Sequence, residues 1–132
     1  MLKNIKYFNL LQISDNRGDM FILENKNLKM NFMRTFLVYG DMNAHRGRHA
    51  HKQCSQLLIA INGKIEVICK DAENRKKFIL TNPKEALLVP PKVWSEQIYK
   101  ENGTILGVWC DEPYREDDYI RDWNEFLLEE SS

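Results

Sequence analysis

Short apolar runs separated by turn residues constrain this chain most, because segments too short to stand as isolated helices must find partners in sheets. Gln56 to Ile61 is one such run, and Asn62-Gly63 follows it as a strong hairpin signal. Lys64 to Lys70 then alternates, with Ile65, Val67 and Cys69 on one face and Glu66 and Ile68 on the other. Arg34 to Tyr39, Lys77 to Leu80, Ala86 to Val89 and Thr104 to Trp109 read as further strands. Pro83, Pro90 and Pro91 fall between runs or at their ends, where a missing ladder donor does least harm. From Asp117 to Glu130 the period changes. Tyr119, Ile120, Trp123, Phe126 and Leu127 stand at helical spacing with acidic residues early, which predicts one C-terminal helix. The expected fold class is all-β, a closed or double-sheet jelly roll with that short helix, forming a single domain over residues 1–132.

At 132 residues the chain can bury a real core without staples. Nineteen basic residues balance nineteen acidic ones, so neither nucleic acid nor a membrane surface is an expected partner. No run approaches the ~18 apolar residues that a membrane span needs. Cys54, Cys69 and Cys110 are odd in number and widely spaced, which favours buried thiols in a reducing compartment. Met1 to Ile13 has no signal-peptide pattern, and the expected location is the cytoplasm.

Two of the chain's three histidines, His49 and His51, lie within Arg46-Gly47-Arg48-His49-Ala50-His51-Lys52. On a strand they share a face, with Ala50 opposite; the facing of Arg48 depends on where the strand begins. Imidazole is both the commonest metal ligand and the side chain best suited to proton exchange near neutral pH. His49-x-His51, four residues, Gln56, six residues and Gly63 are similar in spacing to the first motif of the cupin superfamily. The slot for that motif's ligating glutamate holds Gln56, a much poorer ligand for a divalent cation. The stretch that should supply another histidine, Leu87 to Glu96, has none, and His45 lies just outside the expected strand. The expectation is therefore general acid–base chemistry by His49 and His51 with no metal. Arg46 and Lys52 are placed to hold an anionic substrate. No G-x-G-x-x-G is present, and no cofactor is expected.

The R-G-x-H-A-H-K block, Gln56, Gly63, the run Val89 to Glu96 and the run Glu112 to Asp122 together resemble the sugar 3,4-ketoisomerase family. These are the WxcM-like cupins that act on dTDP-4-keto-6-deoxyglucose. Asp15-Asn16-Arg17-Gly18 is similar to that family's N-terminal segment. The resemblance implies a metal-independent homodimer with exchanged N-terminal strands. The implied reaction moves the ketone from C4 to C3 of a dTDP-linked 4-keto-6-deoxyhexose, ahead of a transamination that makes a 3-amino-3,6-dideoxyhexose for surface glycans. It implies His49 as the carbon base with His51 as its partner, and Arg17, Arg46, Lys52, Gln56, Trp94 and Glu96 as substrate-binding residues. The C4 configuration of the product stays open between gluco and galacto. One departure stands out: Phe36 occupies a position where the family commonly has tyrosine. Alternative readings are a 3,5-epimerase-like cupin and a sugar-nucleotide binding module without turnover.

Overall fold

Alternating apolar positions become strands here because each strand finds an antiparallel partner that buries its apolar face. The computed structural model describes residues 2–26 and 28–131. Among them twelve strands and one α-helix follow in order: β1 Lys6–Asn9, β2 Leu11–Asp15, β3 Gly18–Ile22, β4 Arg34–Gly40, β5 His45–His51, β6 Gln56–Asn62, β7 Ile65–Lys70, β8 Arg75–Leu80, β9 Glu85–Val89, β10 Trp94–Tyr99, β11 Thr104–Cys110, β12 Tyr119–Ile120 and α1 Trp123–Ser131. One sheet runs β1-β9-β6-β11-β4 and the other β12-β5-β10-β7-β8, while β2 and β3 pair only with each other. The all-β expectation with a C-terminal helix holds, in its double-sheet version: the two large sheets stay separate, with β4 and β8 at open edges.

Leu58, Ala60, Ile65, Val67, Leu80, Leu87, Tyr99, Leu106 and Val108 form the core between the sheets. Each large apolar side chain buried there contributes roughly 1.5–3 kcal/mol. From Leu57 to Ala60 strand β6 is apolar without interruption because both of its faces are covered there. Leu57 and Ile59 point away from that core and pack on Met30, Ala86 and Leu88, with Phe8, Leu10 and Trp109 at the margin. The outer face of the second sheet is closed by α1, where Ala50, Trp94, Ile120 and Phe126 pack together. The three cysteines are free and buried, as expected.

Three local expectations are corrected. Asn62-Gly63 does not close a hairpin: β6 pairs with β9 and β11, and β7 pairs with β8 and β10. The turn is a corner at which the chain changes sheet, with Gly63 at φ +83° so close to Thr104 that a Cβ would collide. The helix begins at Trp123 rather than Asp117, because Tyr119 and Ile120 pair with His51 and Ala50 as a short strand. Asp122 then starts the helix, its Oδ2 accepting the Glu125 N–H at 3.0 Å. The amphipathic spacing of Tyr119 and Ile120 suits either element, and the pairing with β5 decided between them. Finally, His45 is the first residue of β5, not a residue outside it. No helix among the described residues is long and apolar enough to cross a membrane.

Candidate active site

Strand β5 lies antiparallel to β10, with His45 opposite Ile98, Arg46 opposite Gln97, Gly47 opposite Glu96 and His49 opposite Ser95. One step on β10 therefore spans two on β5, and Arg48 is the extra residue of a bulge. Gly47 at φ +80° and Arg48 at φ +62° carry the left-handed backbone this requires, and a Cβ on Gly47 would strike the Gln97 side chain. The bulge resets the alternation. Arg46 and His49, three residues apart, both face the interior, while His45 turns to the outer surface.

The interior opens as a cavity of about 240 Å³ between the sheets. Phe36, Val38, Leu58, Leu106 and Val108 supply its apolar wall, and Arg46, His49, Gln56, Gln97, Tyr99, Tyr119 and Arg121 its polar one. His51 lies behind His49, 4% exposed, with ring centroids 5.0 Å apart in an edge-to-face arrangement. Tyr119 packs on both imidazoles, its ring centroid 5.3 Å from His49 and 4.3 Å from His51.

The buried Asp118 carboxylate orients His51, whose Nδ1–H donates to Asp118 Oδ2 at 2.8 Å. The other carboxylate oxygen accepts the Gln53 N–H at 2.7 Å. Burial works to raise the Asp118 pKa, but hydrogen bonds from His51 and Gln53 outweigh it and hold the carboxyl below its ordinary value. Burial lowers the His51 pKa, and Asp118 opposes only part of that shift. The pair is therefore a neutral imidazole on an ionised carboxylate, which leaves His51 Nε2 a lone pair, buried and without a hydrogen-bond partner. His49 is pushed down to about 4, chiefly by burial and then by the neighbouring His51 and Arg121. At neutral pH it is an unprotonated base opening onto the cavity.

Of the residues expected from sequence, His49, Arg46 and Gln56 line the cavity and His51 backs it. The rest lie elsewhere. Trp94 points to the outer face and packs on Trp123 and Phe126, its Nε1–H donating to Glu96 Oε2 at 2.9 Å. Glu96 also pairs with His45 at 2.7 Å and Lys70 at 3.0 Å, so it is consumed in an outer cluster. Ser95, between Trp94 and Glu96, lies opposite His49, and its hydroxyl accepts from Gln97 Nε2 at 2.7 Å. Lys52 is exposed beyond the end of β5 and does not line the cavity. Arg17 sits at the β2–β3 turn, bonded to Asp15 at 2.6 Å, and does not line it either. Helical spacing over Asp117 to Glu130 hides Asp118, Tyr119 and Arg121 as site residues, because the strand Tyr119–Ile120 is what brings them to the histidines. The signal that could have found them is an Asp-Asp pair ahead of a short Tyr-Ile run, which a strand reading would have placed beside the histidines.

For a cation, His51, Cys54 and Asp118 bring one ligand atom each within 4.8 Å of one another. Asp118 already accepts from His51 and Gln53, so its environment is accounted for by hydrogen bonds within the protein. Gln56, in the cupin glutamate slot, turns its amide toward Cys110 Sγ at 3.6 Å.

An antiparallel two-sheet roll with an H-x-H pair turned into its interior is the arrangement that the cupin motif leads one to expect. The family model described as "FdtA: WxcM-like, C-terminal" matches residues 3–131, and the chain belongs to that family. It is 32% identical over 123 residues to the TDP-4-oxo-6-deoxy-alpha-D-glucose-3,4-oxoisomerase of Aneurinibacillus thermoaerophilus, covering 92% of this chain and 88% of that one. The crystal structure of a sugar 3,4-ketoisomerase from Thermoanaerobacterium thermosaccharolyticum in complex with TDP superposes with a TM-score of 0.92 at 30% identity, covering 98% and 96% of the two chains. A TDP-quinovose 3,4-ketoisomerase from Campylobacter jejuni superposes with a TM-score of 0.89 at 36% identity, covering 96% and 98%.

Proposed function

We propose that this protein is a 3,4-ketoisomerase that moves the ketone of dTDP-4-keto-6-deoxyglucose from C4 to C3. The observation that carries the reading is a neutral His49 opening onto the cavity, with His51 held behind it by Asp118. A ketone shift requires a base at C3 and a proton donor at C4, with no net redox change. His49 takes the C3 proton, an enediol forms, and the imidazolium returns the proton at C4. His51, its tautomer fixed by Asp118, packs edge-to-face behind His49 and positions it. Arg46 gives the cavity a guanidinium suited to a diphosphate, while Arg121, also in its lining, is held by both Glu116 carboxylate oxygens at 2.8 and 3.0 Å. Incubation with dTDP-4-keto-6-deoxyglucose, followed by NMR of the product, tests the reading. A ketone at C3 supports it, inversion at C3 or C5 would make the protein an epimerase, and binding without turnover would make it a binding module.

The working unit is a homodimer in which N-terminal strands are shared. Strand β4 is an open edge with Leu37 and Tyr39 exposed, and the β2–β3 hairpin pairs with no other strand among the described residues. That hairpin carries Leu11, Ile13 and Met20, each at least half exposed, an apolar surface that a second copy would cover. In such a dimer Arg17, at the hairpin turn, reaches toward the other copy's cavity. The enzyme works in the cytoplasm, and its 3-keto product serves an aminotransferase that makes a 3-amino-3,6-dideoxyhexose for surface polysaccharide.

A further inference from the structure

We propose, on the basis of the ketone-shift reading, that the Tyr119 hydroxyl is a catalytic group that carries the oxygen-bound proton between O3 and O4 of the sugar. Shifting a ketone by one carbon moves two protons, one from C3 to C4 and one from O3 to O4. The imidazole that opens onto the cavity accounts for the first. Among the cavity-lining side chains only Tyr99 and Tyr119 carry a hydroxyl. Tyr99 is committed elsewhere: its hydroxyl donates to the Val38 carbonyl at 3.2 Å, and burial pushes the phenol up to about 12.

Tyr119 is placed differently. Its ring touches both imidazoles and is covered by the Arg121 guanidinium at 4.2 Å from the centroid. Its hydroxyl lies beside the Arg34 guanidinium, and among the described residues no group accepts a hydrogen bond from it. The Arg34 guanidinium is thus a fixed positive charge beside the phenol, able to stabilise a phenolate. The segment that positions the phenol is the one that orients His51. Asp118 bonds the imidazole, and the next residue, Tyr119, pairs with His51 across β12 and β5. Phe36 leaves the opposite wall without a competing hydroxyl.

The step balances. As His49 removes the proton from C3, that electron pair forms the C3–C4 double bond, and O4 takes the proton of the Tyr119 hydroxyl. The tyrosinate, held by Arg34, then removes the proton from the O3 hydroxyl. The O3 electrons form the new carbonyl as C4 takes the proton from the His49 imidazolium, and both side chains return to their starting states. No external oxidant or reductant enters.

The test is Tyr119→Phe, which keeps the ring contacts and removes one oxygen. Turnover of dTDP-4-keto-6-deoxyglucose, substrate affinity by calorimetry and the melting temperature are measured on both proteins. The expected result is a kcat at least ~10²-fold lower, with substrate Kd within about threefold and the melting temperature unchanged. A kcat within about threefold of the parent overturns the proposal. So does a loss matched by an equal loss of affinity or by a lowered melting temperature, since that marks a structural residue. If the parent protein binds the substrate and leaves its ketone at C4, the ketone-shift reading fails and takes this proposal with it.

Discussion

Strand β5 carries a histidine–carboxylate pair on each face, and the two pairs have nearly the same bond length. Inside, His51 meets Asp118 at 2.8 Å; outside, His45 meets Glu96 at 2.7 Å. What separates them is the second nitrogen. Arg48 donates to His45 Nδ1 at 2.8 Å, and Glu96 also receives Lys70 and the Trp94 indole, so the outer cluster is saturated. His51 Nε2 is buried and has no partner. A saturated pair can only hold the sheet together, whereas a pair with a free lone pair beside a cavity can do chemistry. An ion pair read from a distance alone would not have told them apart.

The comparison breaks most sharply at the inner site. His49→Asn should lower kcat by at least ~10²-fold and leave substrate affinity within a few fold, since asparagine keeps size and polarity but takes no proton. Steady-state kinetics and calorimetry check this, and full activity in the variant would remove His49 from the carbon chemistry. Asp118→Asn should follow, with turnover down on the order of 10²-fold, because an amide can present its N–H to His51 and reverse the tautomer. An unchanged rate would mean that the inner pair, like the outer one, serves only structure.

Glu96→Gln should show the opposite profile. Removing the charge strands Lys70 beside a neutral amide and costs about 1–3 kcal/mol of stability, read by urea unfolding, with kcat within a few fold. A large loss of turnover without a loss of stability would move the outer cluster into the mechanism.

The pH dependence sharpens the same contrast. His49 is lowered from 6.5 to about 4, so its base form persists in acid and the acid limb of kcat/KM should lie near pH 4 rather than 6.5. Stability runs with the same sign. Between those values the unfolded chain binds a proton that the folded imidazole refuses, so stability is complete above about 6.5 and falls as pH drops toward 4. An acid limb at 6.5 in the stably folded enzyme would show that another group sets the activity.

The smallest effect is expected at Phe36. It is half-buried at the margin of the core and lines the cavity, where an added hydroxyl has room, so Phe36→Tyr should leave the melting temperature within about a degree. Turnover or the ratio of C4 epimers should shift by no more than a few fold. A clear loss of stability would place the added hydroxyl against packed apolar atoms.

Much of the architecture follows from local pattern. Period-2 alternation over Lys64–Lys70 and the apolar runs at Gln56–Ile61 and Thr104–Trp109 are strands because no other short element buries such faces. The H-x-H spacing alone put His49 and His51 on one side of a strand, and the Arg46–Lys52 block marked the site. The rest depended on contacts that no local pattern encodes. A single extra residue at Arg48 put Arg46 on the same face as His49 and turned His45 away from it. Asn62-Gly63 supplies the backbone for a sharp turn, but whether the next strand pairs back or crosses to the other sheet depends on its distant partners. Asp118 and Tyr119 reach the histidines from 67 and 68 positions away along the chain only because a two-residue strand docks on β5. Periodicity belongs to the backbone and its neighbours, so sequence displays it. A catalytic constellation belongs to the packing of remote segments, and only the folded chain brings it together.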